Sequence, residues 1–129
     1  MIAPHPYRSA LENRDGQALM EALHPEVSFH SPAWSEPIVG RDKVMMLFAK
    51  LAEVFEYPVI IDELEGEGTR AIVFRLEVDG HPIEGTDYLE LADDARVQRI
   101  TVFMRPLASL EALANRMRET VSELQARSG

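Results

Sequence analysis

Asp87 is the residue least in keeping with its neighbours. Strand alternation over Ile83 to Leu91 puts Ile83, Gly85, Asp87, Leu89 and Leu91 on one face and Glu84, Thr86, Tyr88 and Glu90 on the other. An ionised carboxylate on an apolar face must be paired, hydrogen-bonded or kept protonated with a raised pKa. Three readings follow: a core acid held by backbone donors or an arginine, a bulge near Gly85 that turns it outward, or a functional carboxyl in a cavity. The same parity over Val27 to Ser31 turns Val27, Phe29 and Ser31 inward and Ser28 and His30 outward, so Ser31 offers a hydroxyl beside apolar space. No Gly-x-Ser-x-Gly elbow surrounds it, which argues against a serine hydrolase. Ile100, Val102 and Met104 alternate with Arg99, Thr101, Phe103 and Arg105, and supply either a cavity wall or plain core.

Other chemistries have less support. His5, His24, His30 and His81 are scattered, with no His-x-x-x-His pair and no carboxylate at ligand spacing, so no metal site is expected. No glycine-rich turn leads into a helix as phosphate binding requires, so no nucleotide cofactor is expected either. The chain contains no cysteine, which removes thiol nucleophiles and disulfides. Against 13 Lys and Arg stand 22 Asp and Glu, a formal charge of -9 that disfavours nucleic acid. The acids from Glu53 to Glu67 read as a solvated loop-and-edge surface. No window approaches ~18 uninterrupted apolar residues, so neither a signal peptide nor a membrane span is expected, and the cytoplasm is the default compartment.

The elements that must position these residues follow from local pattern. At 129 residues with 46% hydrophobic content, one domain over 1–129 with one core is expected. Tyr7, Ala10 and Leu11 fall at helical spacing between Pro6 and Asn13. Asp15 is suited to cap a second helix carrying Leu19, Met20 and Leu23, stopped by Pro25. Val44, Leu47, Phe48, Leu51 and Phe55 predict a third over 42–55. Strands are expected over Val59 to Leu64, Ala71 to Val78, Ile83 to Leu91 and Arg96 to Arg105, the last three as an antiparallel meander turned at Asp79-Gly80 and Asp93-Asp94. After Pro106, Ser109 is a candidate cap for a C-terminal helix with Leu110, Leu113, Met117, Val121 and Leu124 on one side. This order predicts an α+β domain, helices on one face of an antiparallel sheet, with a hollow suited to a small molecule.

The string Phe29-His30-Ser31-Pro32, followed by Pro37-Ile38-Val39-Gly40-Arg41 leading into an amphipathic helix, resembles the ketosteroid isomerase and SnoaL-like family. That resemblance covers about Tyr7 to Pro106 and implies the cone-shaped, curved-sheet fold of the nuclear-transport-factor-2-like superfamily, with an added C-terminal helix. Steroid isomerases use a tyrosine on the first helix, a protonated aspartic acid on a late strand and an aspartate base at the end of the first strand. By the resemblance these positions are Tyr7, Asp87 and Ser31, and a serine cannot shuttle protons as a carboxylate does. Leu23 and Phe48 stand where some isomerases have supporting tyrosines, which implies a drier pocket.

Together these readings predict a protein that binds a small apolar carbonyl or phenol ligand. Tyr7 and Asp87 hold the oxygen, and Phe29, Trp34, Phe48, Phe55, Ile100, Val102 and Met104 form the walls. If it is an enzyme, it is a cofactor-independent isomerase, cyclase or lyase moving a proton beside a carbonyl. The alternative is a non-catalytic binding or interaction module. The resemblance also implies a homodimer formed through the outer sheet face, with Thr101, Phe103 and Tyr88.

Overall fold

The computed structural model describes residues 2–126. Helix α1 (Pro6–Asn13) begins with Pro6, whose missing N–H costs nothing in a first turn, and the His5 ring accepts the Tyr7 N–H as its cap. Helix α2 (Gly16–Ala22) is capped as expected, Asp15 accepting from the Ala18 N–H at 3.0 Å. It stops three residues before Pro25, because a residue preceding proline favours extended backbone and the chain is already in strand β1 (Leu23–His30). Leu23 therefore lies in the sheet, where it pairs with Val97, and not on a helix face.

A two-residue strand β2 (Ile38–Val39), absent from the sequence reading, folds back on β1. Gly40, at φ +105°, then turns the chain into α3 (Arg41–Val54). Strands β3 (Glu56–Gly66), β4 (Thr69–Val78), β5 (His81–Leu91) and β6 (Val97–Arg105) form an antiparallel meander. Its last strand lies parallel to β1, and the six-stranded order is β2-β1-β6-β5-β4-β3. Helix α4 (Leu107–Ala126) starts three residues earlier than a Ser109 cap implies; Ser109 is a buried residue within it.

Inward residues of the sheet, among them Val27, Phe29, Ile72, Phe74, Leu76, Ile83, Leu89 and Ile100, form one core with the helices. β4 and β5 pair without interruption from Val78 opposite His81 to Thr69 opposite Glu90. No bulge occurs at Gly85, so Asp87 stays on the apolar face, between Ile72 of β4 and Val102 of β6. In β3 the register does slip between Ile60 and Asp62. With Ile60 opposite inward Phe74, simple alternation would bring Leu64 inward too; the extra residue brings Glu63 in opposite Ile72 and turns Leu64 out to 52% exposure. Glu63 is buried, so the run from Glu53 to Glu67 is not uniformly a solvated surface.

Gly85 is needed where the sheet packs tightly: an added Cβ would lie 2.8 Å from Phe74 Cε1 and 3.0 Å from the Phe103 carbonyl oxygen. The ring can give way but the carbonyl belongs to the ladder, so Gly85→Ala should cost about 1–3 kcal/mol. Urea denaturation checks this, and an unchanged midpoint would show that the contact is not limiting.

Candidate functional site

The inner face of the sheet and all four helices enclose a cavity of about 550 Å³, within the usual range for small-molecule sites. Tyr7 enters it from the first turn of α1 and Asp87 from the middle of β5. The Tyr7 hydroxyl donates to Asp87 Oδ2 at 2.9 Å, joining residues 80 positions apart. Phe48 of α3 meets Tyr7 edge-on, with ring centroids 6.2 Å apart, and meets Phe29 of β1 the same way at 5.7 Å. This aromatic row packs Tyr7 against Phe48 and Phe48 against Phe29.

The remaining ionisable lining residues, Glu12, Arg14 and Asp15, are exposed where α1 passes into α2. Tyr7 and Asp87 are thus the ionisable pair of the cavity interior, in walls that are otherwise mainly apolar. Burial pushes the Asp87 carboxyl from 3.8 up to about 6, while the Tyr7 hydrogen bond pulls it back. The Tyr7 phenol is held well above its usual range, first by burial, then by the charge of Asp87 and the bond to it. The aspartic acid expected to be protonated is therefore mainly ionised at pH 7 and becomes an acid below about pH 6. As an acid it adds a second donor beside Tyr7. As a carboxylate it can accept a proton.

Phe29, Trp34, Phe48, Phe55, Val102 and Met104 line the cavity. Ile100 does not: it is fully buried in the core, opposite Phe29 of β1 and Leu89 of β5. Leu23 is likewise outside the lining. Ser31 lines the cavity just beyond β1, where its Oγ accepts the Ala33 N–H at 3.0 Å in a local turn. His30 lies on the other face, its Nε2 3.0 Å from Ser28 Oγ. Its pKa is lowered by partial desolvation and by Arg99, against the pull of Glu90.

Sequence reasoning missed the part played by α4, whose Leu110, Leu113, Met117 and Val121 close one side of the cavity. The apolar stripe was visible, but a stripe does not say whether it meets a core or a hollow. Among the described residues, no three His, Cys, Asp or Glu side chains gather as a metal site. Nor is any described helix long and apolar enough to cross a membrane.

A curved six-stranded sheet wrapped around a helix-covered cavity defines the nuclear-transport-factor-2-like class of α+β folds, and solved structures share it. A steroid delta-isomerase from Pseudomonas aeruginosa superposes with a TM-score of 0.82 at 26% identity, over 93% of this chain and 89% of that one. An uncharacterised protein with a cystatin-like fold from Silicibacter pomeroyi gives 0.83 at 23% identity, over 92% and 86%. A nuclear-transport-factor-2-like protein of unknown function from Cytophaga hutchinsonii gives 0.62 at 16%, over 78% and 85%. Residues 6–106 match the SnoaL-like domain, and the chain belongs to that family. No protein of curated function matches the chain.

Because folding raises the Asp87 pKa, the folded protein holds a proton between pH 4 and 6 that the unfolded chain has released. The stability this contributes is complete below about pH 4 and is lost as pH rises through about 6. Asp87→Asn cannot titrate. Its stability relative to wild type should therefore rise by about 2–3 kcal/mol between pH 4 and pH 7. Paired urea unfolding curves measure this, and a constant difference would mean that Asp87 is not desolvated.

Proposed function

We propose that this protein binds a small, mainly apolar molecule carrying one carbonyl or phenolic oxygen, with that oxygen seated on Tyr7 and Asp87. The observation that carries the reading is the hydrogen-bonded Tyr7–Asp87 pair, alone among mainly apolar walls in a cavity of about 550 Å³. Apolar walls reward burial of hydrocarbon by about 25 cal/mol per Å², and the buried polar pair penalises any ligand that gives it no partner. A ketone has only an acceptor to offer. It needs Asp87 in its acid form, so its affinity should fall as pH rises above about 6. A phenol can also donate to the carboxylate and depends less on pH.

Turnover by proton transfer beside a carbonyl, as in a cofactor-independent isomerase, cyclase or lyase, is the enzymatic form of this proposal. Asp87 supports it, since a carboxyl with a pKa of about 6 is suited to take up and return a proton near neutrality. Similarity to a steroid delta-isomerase supports it as well. A non-catalytic binding module is favoured instead by Ser31, which puts a hydroxyl engaged in a local turn where the family resemblance places a carboxylate base. For a second copy of the chain, the support is the outer sheet face, where Phe103 and Tyr88 are 59% and 38% exposed.

Calorimetric titration with a decalone and a naphthol tests the binding reading. Tyr7→Phe and Asp87→Leu, which removes both donor and acceptor, should each weaken binding by about 10–100-fold, in line with the loss of one buried hydrogen bond. The decalone should bind more tightly at pH 5 than at pH 8 in wild type but not in Asp87→Asn. Unchanged affinity in Tyr7→Phe and Asp87→Leu would remove the oxygen site from the account. Ser31→Asp distinguishes the two forms: a gain of Δ5-ketosteroid isomerisation over an inactive wild type would identify the missing base as the reason for binding without turnover.

A further inference from the structure

Glu63 is an inward carboxylate that the oxygen site does not use. Its side chain is 1% exposed, on the edge strand β3. Oε2 accepts the His5 backbone N–H at 3.1 Å and Arg70 Nη1 at 2.7 Å, and Oε1 accepts Arg8 Nη1 at 3.4 Å. Arg70 Nη1 also donates to the Ala3 carbonyl at 2.9 Å. The His5 ring continues the network: Nδ1 accepts the Tyr7 N–H at 3.0 Å, which leaves the proton on Nε2 to donate to the Ala95 carbonyl at 2.8 Å. Ala3, His5, Tyr7 and Arg8 are thereby tied to β3, to β4 and to the turn between β5 and β6.

We infer that Glu63 is a positioning residue for the oxygen site: it clamps the first turn of α1 to the sheet so that the Tyr7 hydroxyl meets Asp87. An eight-residue helix is too short to hold its own place, and Tyr7 lies between the two clamped residues, His5 and Arg8. Stability alone does not explain the residue. A buried ion pair is often no better than an apolar side chain of similar volume, and Leu64 stands next in sequence, turned outward by the bulge. What the carboxylate adds is direction, since two arginines and a backbone N–H converge on it from three segments.

The inference rests on Tyr7 and Asp87 being the oxygen-binding pair, but its test needs no ligand. Carboxyl-carbon NMR follows the titration of Asp87 in wild type, Tyr7→Phe, Glu63→Asp, Glu63→Gln and the double variant Tyr7→Phe/Glu63→Asp, with folding of each confirmed by circular dichroism. Tyr7 lowers the Asp87 midpoint through its hydrogen bond, so Tyr7→Phe raises it. Glu63→Asp keeps the charge and shortens the arm by one methylene; it should raise the midpoint by roughly half a pH unit or more. The double variant should go no higher than Tyr7→Phe alone. Glu63→Gln removes a negative charge, and the lost repulsion alone would lower the midpoint, so a rise there also reports a displaced Tyr7. The charged rim groups Glu12, Arg14 and Asp15 are the same in every variant. A midpoint that stays put or falls in Glu63→Asp, or a shift that adds to that of Tyr7→Phe, overturns the inference. Should the shifts appear while neither decalone nor naphthol binds, the binding proposal fails and the positioning role stands.

Discussion

A half-buried carboxyl among hydrocarbon side chains has to be given a hydrogen-bond donor or a proton, and that requirement at Asp87 organises the rest of the site. Its neighbours on the inner face are Ile72 and Val102, which offer neither. Tyr7 supplies the donor from the other side of the cone. The phenol must then be held in place, by the edge-on ring of Phe48 on one side and by the fixed first turn of α1 beneath it. With burial raising the carboxyl and the phenol pulling it back, Asp87 settles at about 6, close enough to neutrality for either form to be reached.

The enclosure itself depends on where charge is kept out. A formal charge of -9 is carried on a chain whose cavity interior holds one ionisable pair. On the outer face, Glu84 pairs with Arg75 and Arg105, and Glu90 pairs with Arg99. Such exposed pairs add little stability but keep charge on the solvent side of a sheet whose other face must stay apolar. Helix α4 completes the cone by laying Leu113, Met117 and Val121 against the hollow.

Membership of the SnoaL-like family and likeness to a steroid delta-isomerase define the frame but not the reaction, because chemistry resides in the site and one fold serves many sites. Here the tyrosine and the strand aspartate are present and touch each other, whereas residue 31 is a serine. The pair that would hold an oxygen is thus separable from the base that would act beside it.

Period-two alternation sufficed to place Asp87, Val102 and Met104 inward and His30 outward, because facing in a regular strand is a local property of the pleat. Helical spacing located α1, α2 and α3 for the same reason, with Asp15 as the cap of α2. Ile100 shows where alternation stops being informative: it fixes the face, but whether that face meets core or cavity depends on what covers it. Glu63 shows the larger limit. One extra residue in β3 reversed the parity of Glu63 and Leu64, and of the partners that make a buried carboxylate tolerable only Arg70 is near in sequence, while His5 and Arg8 lie more than 50 positions away. Local sequence could determine which residues share a face. Only the closed tertiary structure could decide which face is wet, which is filled, and which distant donors arrive to meet a charge, because desolvation and hydrogen-bond pairing depend on everything packed around a group and not on its neighbours in the chain.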